Sequence, residues 1–160
     1  MSSTSDTSDT MQEVVQIQIS KPVLRQNSKG RAVKELQHLL SYWGVYTGPV
    51  NGNFEQQTEH GVKDYQRRVF LQEDGVVAEH TWLALYTGAP VYMPELSKGC
   101  SGEQVRIIQR VLKSTNDYVG WIDSDFGDLT EAAVTSFQRR CELPVTGVVD
   151  EDTWYALSQV

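Results

Sequence analysis

Positive charge is sparse in this chain, where 14 Lys and Arg face 21 Asp and Glu for a formal net charge of -7. The only basic doublets are Arg67 with Arg68 and Arg139 with Arg140, so the clustered basic face that nucleic acid requires is absent. Long apolar runs are missing too: none reaches the roughly 18 residues that cross a bilayer, and no membrane span is expected. The opening stretch MSSTSDTSDTMQEVVQIQIS has three acids and no base. It lacks the positive start and apolar core of a secretory signal, and its composition predicts a disordered polar tail over residues 1–20. The alternation of Val15, Ile17 and Ile19 is the one strand-like feature there. The three histidines, His38, His60 and His80, have no His-Glu-x-x-His or Cys/His spacing, and no glycine loop of the phosphate-cradling kind occurs. The acidic run DSDFGD, Asp123 to Asp128, lacks the twelve-residue spacing and closing Glu of a calcium loop. Turn-forming and helix-capping roles are expected for it. Neither metal nor cofactor is expected.

What the chain does contain is itself, twice. Shifted by 72 positions, Leu24, Gly30, Val33, Gln37 and Leu40 fall on Leu96, Gly102, Val105, Gln109 and Leu112, and SFQRRC at 136–141 falls on DYQRRV at 64–69. Across residues 24–85 and 96–157, 23 of 62 pairs are identical with no insertion or deletion, which identifies a tandem duplication. Two copies of about 70 residues are too few and too long for a solenoid. They predict two small domains, residues 21–90 and 91–160, after the tail 1–20. The joining segment GAPVYMPE is short and holds two prolines. The charge is uneven, about +1 over the first copy and -5 over the second.

Each copy reads as three helices. Val33, Leu36, Leu40 and Trp43 lie at helical spacing, with Gly44 placed for a left-handed C-terminal cap. In the second copy Ser101 and Gln104 have capping-box spacing before Val105, Ile108 and Leu112. A connector rich in Gly, Pro, Asn and Asp follows, TGPVNGNFEQQ against VGWIDSDFGDL, which predicts tight turns. Phe54 and Phe126 are expected to plug the core beneath it. The second helix puts Val62, Tyr65 and Val69, or Val134, Phe137 and Cys141, on its inner face. A Gly turn and a short extended segment lead to the third, where Asp150 suits the N-cap and Trp82 and Trp154 read as core aromatics. If the first two helices pack antiparallel, Cys100 and Cys141 meet at one end, compatible with a disulfide if their Cα atoms come within about 7 Å. The alternative is two reduced thiols.

The order Leu, Gly-x-x-Val-x-x-Leu-Gln-x-x-Leu, Gly-x-Phe-x-x-x-Thr-x-x-x-Val-x-x-Tyr-Gln, Asp-Gly-Val-Val-x-x-x-Thr-Trp-x-x-Leu resembles the peptidoglycan-binding-domain-like family. This is a small three-helix module appended to many cell-wall hydrolases. The resemblance implies an all-α fold of two tandem modules and non-catalytic binding of the glycan or stem peptide of bacterial peptidoglycan. Ser124 in place of Gly52 and Glu55 in place of Gly127 depart between copies and imply loops of altered shape. With two modules and a tail of about 20 residues, no catalytic domain is expected. An adaptor that keeps the fold without the ligand, or a subunit serving a separate cell-wall hydrolase or assembly protein, is the rival reading. The family implies the cell wall or periplasm, while the lack of a signal sequence favours the cytoplasm or delivery in a particle.

Sugar and peptide ligands favour exposed aromatics flanked by amides and carboxylates. The connectors gather these, so the candidate ligand residues are Trp43, Tyr46, Asn51, Asn53 and Thr58 in the first copy and Tyr118, Trp121, Asp123, Asp125 and Thr130 in the second. Arg67, Arg68, Arg139 and Arg140 are candidates for pairing with stem-peptide carboxylates.

Overall fold

A computed structural model describes residues 21–160; the expected tail and the strand at Val15, Ile17 and Ile19 lie outside the described residues. The chain divides between Val91 and Tyr92 into two compact units. The described residues form six helices and four isolated β-bridges, with no longer strand. The fold is all-α, three helices to a module, as expected. The first module holds α1 (Arg31–Tyr42), α2 (Gln56–Arg68) and α3 (Glu79–Thr87), and the second α4 (Glu103–Ser114), α5 (Asp128–Arg140) and α6 (Glu151–Ser158).

In the first module the predicted faces are the buried ones: Val33, Leu36 and Leu40 of α1, Val62 and Tyr65 of α2, then Val69 and Trp82, close around Phe54. The second buries Val105, Ile108, Leu112, Phe126, Val134, Phe137 and Trp154 in the same way. Fully burying an aromatic of this size makes its truncation cost about 3–5 kcal/mol, a large share of what a domain this small can hold in reserve. Trp82 and Trp154 are core aromatics, as read from the sequence. Asp150 caps α6, its carboxylate accepting from the Thr153 N–H. The capping box at Ser101 is not made; Gly102 is the N-cap, and Ser101 instead pairs with Asp125 across an isolated bridge.

Those bridges set the direction of the helices. Lys29 pairs with Asn53 and Ser101 with Asp125, so the N-terminal ends of the first two helices of each module lie together. Their C-terminal ends lie together as well, since Arg68 donates to the Trp43 carbonyl and Arg140 to Asp117. The antiparallel arrangement behind the proposed disulfide is therefore corrected. The Cys100 carbonyl accepts from Phe126 N–H just ahead of α5, whereas Cys141 follows the far end of that 13-residue helix, about 20 Å away at 1.5 Å per residue. Both cysteines are free thiols.

The departures at Gly52 and Gly127 leave the loops unaltered. Ser124 takes the same left-handed conformation as Gly52, φ 67° against 77°, and Asn116 does the same opposite Gly44, φ 67° against 78°. Glu55 and Gly127 share an ordinary φ of -106°, which any residue adopts.

Candidate functional site

Each connector is organised from below by a buried glutamine. Gln37 and Gln109 are fully enclosed on the inner faces of α1 and α4. The Gln109 amide donates to Asp123 Oδ1, the Asp125 carbonyl and Thr130 Oγ1, each at 3.0 Å, and its carbonyl accepts from the N–H groups of Asp123 and Ser124. Gln37 does the same with Asn51, the Asn53 carbonyl, Thr58 and the N–H groups of Asn51 and Gly52. A second pair, Gln66 and Gln138, holds the turn before α3 and α6 by the same pattern, reaching Asp74 or Thr146, the next turn's carbonyl and Thr81 or Thr153. Because a buried amide left unpaired is costly, these four residues fix loop shape. Sequence reasoning passed over them as ordinary identities between copies; the signal was a polar residue kept in both copies on an apolar face.

Above Gln109 the second connector forms a pocket of ≈ 230 Å³. All five residues predicted there line it: Tyr118, Trp121, Asp123, Asp125 and Thr130. Tyr118 and Thr130 form its floor, only 5% and 1% exposed, with the Tyr118 hydroxyl donating to the Trp121 carbonyl. Trp121 is 84% exposed and stands at the mouth. Gly127, Asp128 and Leu129 complete the lining; they were not predicted, because the first turn of α5 read as capping alone. The Asp125 N–H and the Gln109 amide hold the Asp123 carboxyl below its usual range, and Lys98, 2.5 Å away, does so for Asp128.

The first connector is built otherwise. Tyr46 and Thr58 are buried, and Tyr46 donates to the Pro49 carbonyl. Asn51 Oδ1 is taken up by Gln37 and by the Asn53 N–H. Trp43 is drawn away from the loop: its indole N–H donates to the Leu85 carbonyl at 2.7 Å, and its ring lies over Gly88, where a Cβ would stand 2.3 Å from it. The position matching Trp121 is Pro49.

The arginines are not brought to either connector. Arg67 pairs with Glu73 and Asp64, Arg68 with the Trp43 carbonyl, and Arg140 with Asp117, while Arg139 is exposed in the last turn of α5. All lie in the last turn of α2 or α5, and none lines the pocket. Among the described residues no group of three or more His, Cys, Asp or Glu is placed to hold a metal ion, and no helix is long and apolar enough to cross a membrane.

The family comparison agrees with the repeat. The peptidoglycan binding domain family matches residues 29–85 and again residues 101–157, more than half of the sequence, and the chain belongs to that family. It is similar to the N-acetylmuramoyl-L-alanine amidase CwlM of Mycobacterium tuberculosis (strain ATCC 25618 / H37Rv), 29% identical over 109 residues, covering 65% of this chain and 27% of that protein. An uncharacterized protein in the bpoA1 3'region of Kitasatospora aureofaciens is 40% identical over 67 residues, covering 41% of this chain and 57% of that one. The chain thus spans a quarter to about half the length of these curated relatives. Among solved structures, the SleB N-terminal domain is 33% identical with a TM-score of 0.42, covering 43% of this chain and 94% of that one.

Proposed function

We propose that this chain binds bacterial cell-wall peptidoglycan without cleaving it, and that the connector of the second module makes the contact. The observation that carries this reading is the conjunction, in a member of a peptidoglycan binding domain family, of a pocket with a largely exposed tryptophan at its mouth. An indole held in water has no packing role to explain it, and aromatic faces beside amides and carboxylates are what sugars and peptides bind. Trp121, Asp123 and Asp125 are the proposed contact residues, over a floor of Tyr118 and Thr130. In the first module Asn51 and Asn53 are the remaining candidates. A second weak site on the same chain raises the local ligand concentration, worth on the order of 10²-fold in avidity where both sites reach a repeating polymer.

The test is sedimentation of the purified chain with insoluble peptidoglycan. The full chain is expected in the pellet and Trp121→Ala in the supernatant, with no soluble muropeptides released by either. A full chain that stays in solution overturns the binding reading. Release of muropeptides overturns the non-catalytic one.

A further inference from the structure

We propose that the pocket of the second module takes a protonated primary amine of the peptidoglycan stem peptide, stacked on Trp121 and opposed by Asp125. The inference rests on the binding reading above and names the part of the polymer that is held.

Size comes first. At ≈ 230 Å³ the pocket is below the range of sites that enclose whole small molecules; it fits one side-chain-sized group, with the rest of the polymer outside. Charge comes next. Among the described residues, three carboxylates line it and no cationic side chain does. Two of them are already engaged: Asp123 with the Gln109 amide and the Asp125 N–H, and Asp128 with Lys98. Lys113, the other ammonium near the loop, sits on the Gly120 carbonyl. Asp125 is exposed, and its carboxylate has neither hydrogen bond nor ion pair among the described residues, so it is the carboxylate of the three left open to a ligand. A ligand carboxylate would be repelled here. Trp121 supplies the ring that attracts cations most strongly, and Asp125 the counter-charge. A stem peptide built on a diamino acid offers such an amine wherever it is not cross-linked.

The first module shows what removes this fit. Glu55 stands where Gly127 leaves open space, since a Cβ on Gly127 would meet nothing within 4 Å. Gln57 replaces Leu129, and its side chain folds to 2.7 Å from where a Cβ on Gly48 would stand, beside the Tyr46 hydroxyl. In the second module Leu129 does not come that close to the matching Gly120. Pro49 takes away the indole.

The experiment compares sedimentation of the full chain with three insoluble preparations: native wall, wall whose amines have been acetylated, and glycan strands stripped of stems. Acetylation is expected to weaken binding roughly tenfold, the size of a cation–π contact at an exposed ring together with its ion pair, and the stripped glycan is expected to bind no better. Asp125→Asn, at an exposed side chain with no partner among the described residues, is expected to match the acetylation loss while leaving the melting temperature unchanged. Gly127→Glu with Leu129→Gln is expected to do the same. Native and acetylated walls bound equally would overturn the amine assignment and leave wall binding standing. Full retention on stripped glycan would transfer the site to the sugars. No binding to native wall would remove both readings together.

Discussion

The two connectors have one backbone and two surfaces. Residue for residue they share their turns, including a left-handed serine where the other has glycine, and both are pinned by a glutamine reaching up from the first helix. Yet one displays Thr47, Pro49, Val50 and Gln57 where the other displays Val119, Trp121, Ile122 and Leu129, the latter four all among the exposed large hydrophobics. Loop shape here is decided from beneath, by side chains that never reach solvent. The outer face is consequently free to diverge without disturbing the fold, and a duplicated module can keep one face while altering the other.

The sharpest way to break this comparison is to remove the pins. Gln37→Ala and Gln109→Ala each strand two turn N–H groups and several acceptors, at about 1–3 kcal/mol per buried group, so each is expected to unfold its own module. Calorimetry should show one of two transitions lost in either variant. Costs differing by more than about 1.5 kcal/mol would mean that the scaffolds are not equivalent.

Next come the two tryptophans of the first helix and connector. Trp43→Ala removes a packed indole and its bond to Leu85, and is expected to cost about 3 kcal/mol. Trp121→Ala is expected to change stability by less than about 0.5 kcal/mol while abolishing sedimentation with the wall. Chemical denaturation of both variants reads this directly; a Trp121→Ala protein that is clearly destabilised would give the exposed indole a structural role.

Acid separates the modules more gently. Burial opposes ionisation of Asp117, whose side chain is 7% exposed, but bonds from Thr115, Arg140 and Ser136 outweigh it and hold the carboxyl below its usual value. A carboxylate lowered by folding contributes stability above its unfolded pKa of about 3.9 and loses it as pH falls through the folded value. In the first module Val45 holds this position; its own lowered carboxylate is the more exposed Glu35, which burial would raise but Lys21 and Tyr86 hold down. The second module is therefore expected to lose more stability below about pH 4, and Asp117→Asn, costing about 2 kcal/mol at neutral pH, should flatten that loss. An unchanged acid transition in Asp117→Asn would place the sensitivity elsewhere. Smallest is Ser124→Gly, which relieves a left-handed serine and is expected to stabilise by about 0.5 kcal/mol. A loss of stability would show that Ser124 is not strained.

Much of this was legible in the residues. Spacing located the inner faces of the first two helices of each module, the core tryptophans of the third, the paired phenylalanines and the Asp150 cap, and a constant offset of 72 gave the two modules without any packing information. Helix direction was not legible, because periodicity tells which side of a helix is apolar and nothing of which end meets which. That is why Cys100 and Cys141 looked adjacent and why the arginine doublets looked available to the connectors. Nor does a sequence distinguish Trp43 from Trp121: each is an indole near a glycine-rich turn, and only the Leu85 carbonyl and Gly88, some 40 residues on, draw one of them inward. The buried glutamines escaped for a related reason, since apart from one threonine each their partners lie in segments that looked irregular.

Trp82 donates its indole N–H to the Pro22 carbonyl, and Trp154 to that of Pro94, each across 60 residues. This clasp fastens the start of a module to its final helix, so a nascent chain cannot close a module until nearly all of it has left the ribosome. It also brings the points of entry and exit near each other. Such a unit can be copied head to tail in a gene with nothing inside it rerouted, which is the kind of event the 72-residue offset records.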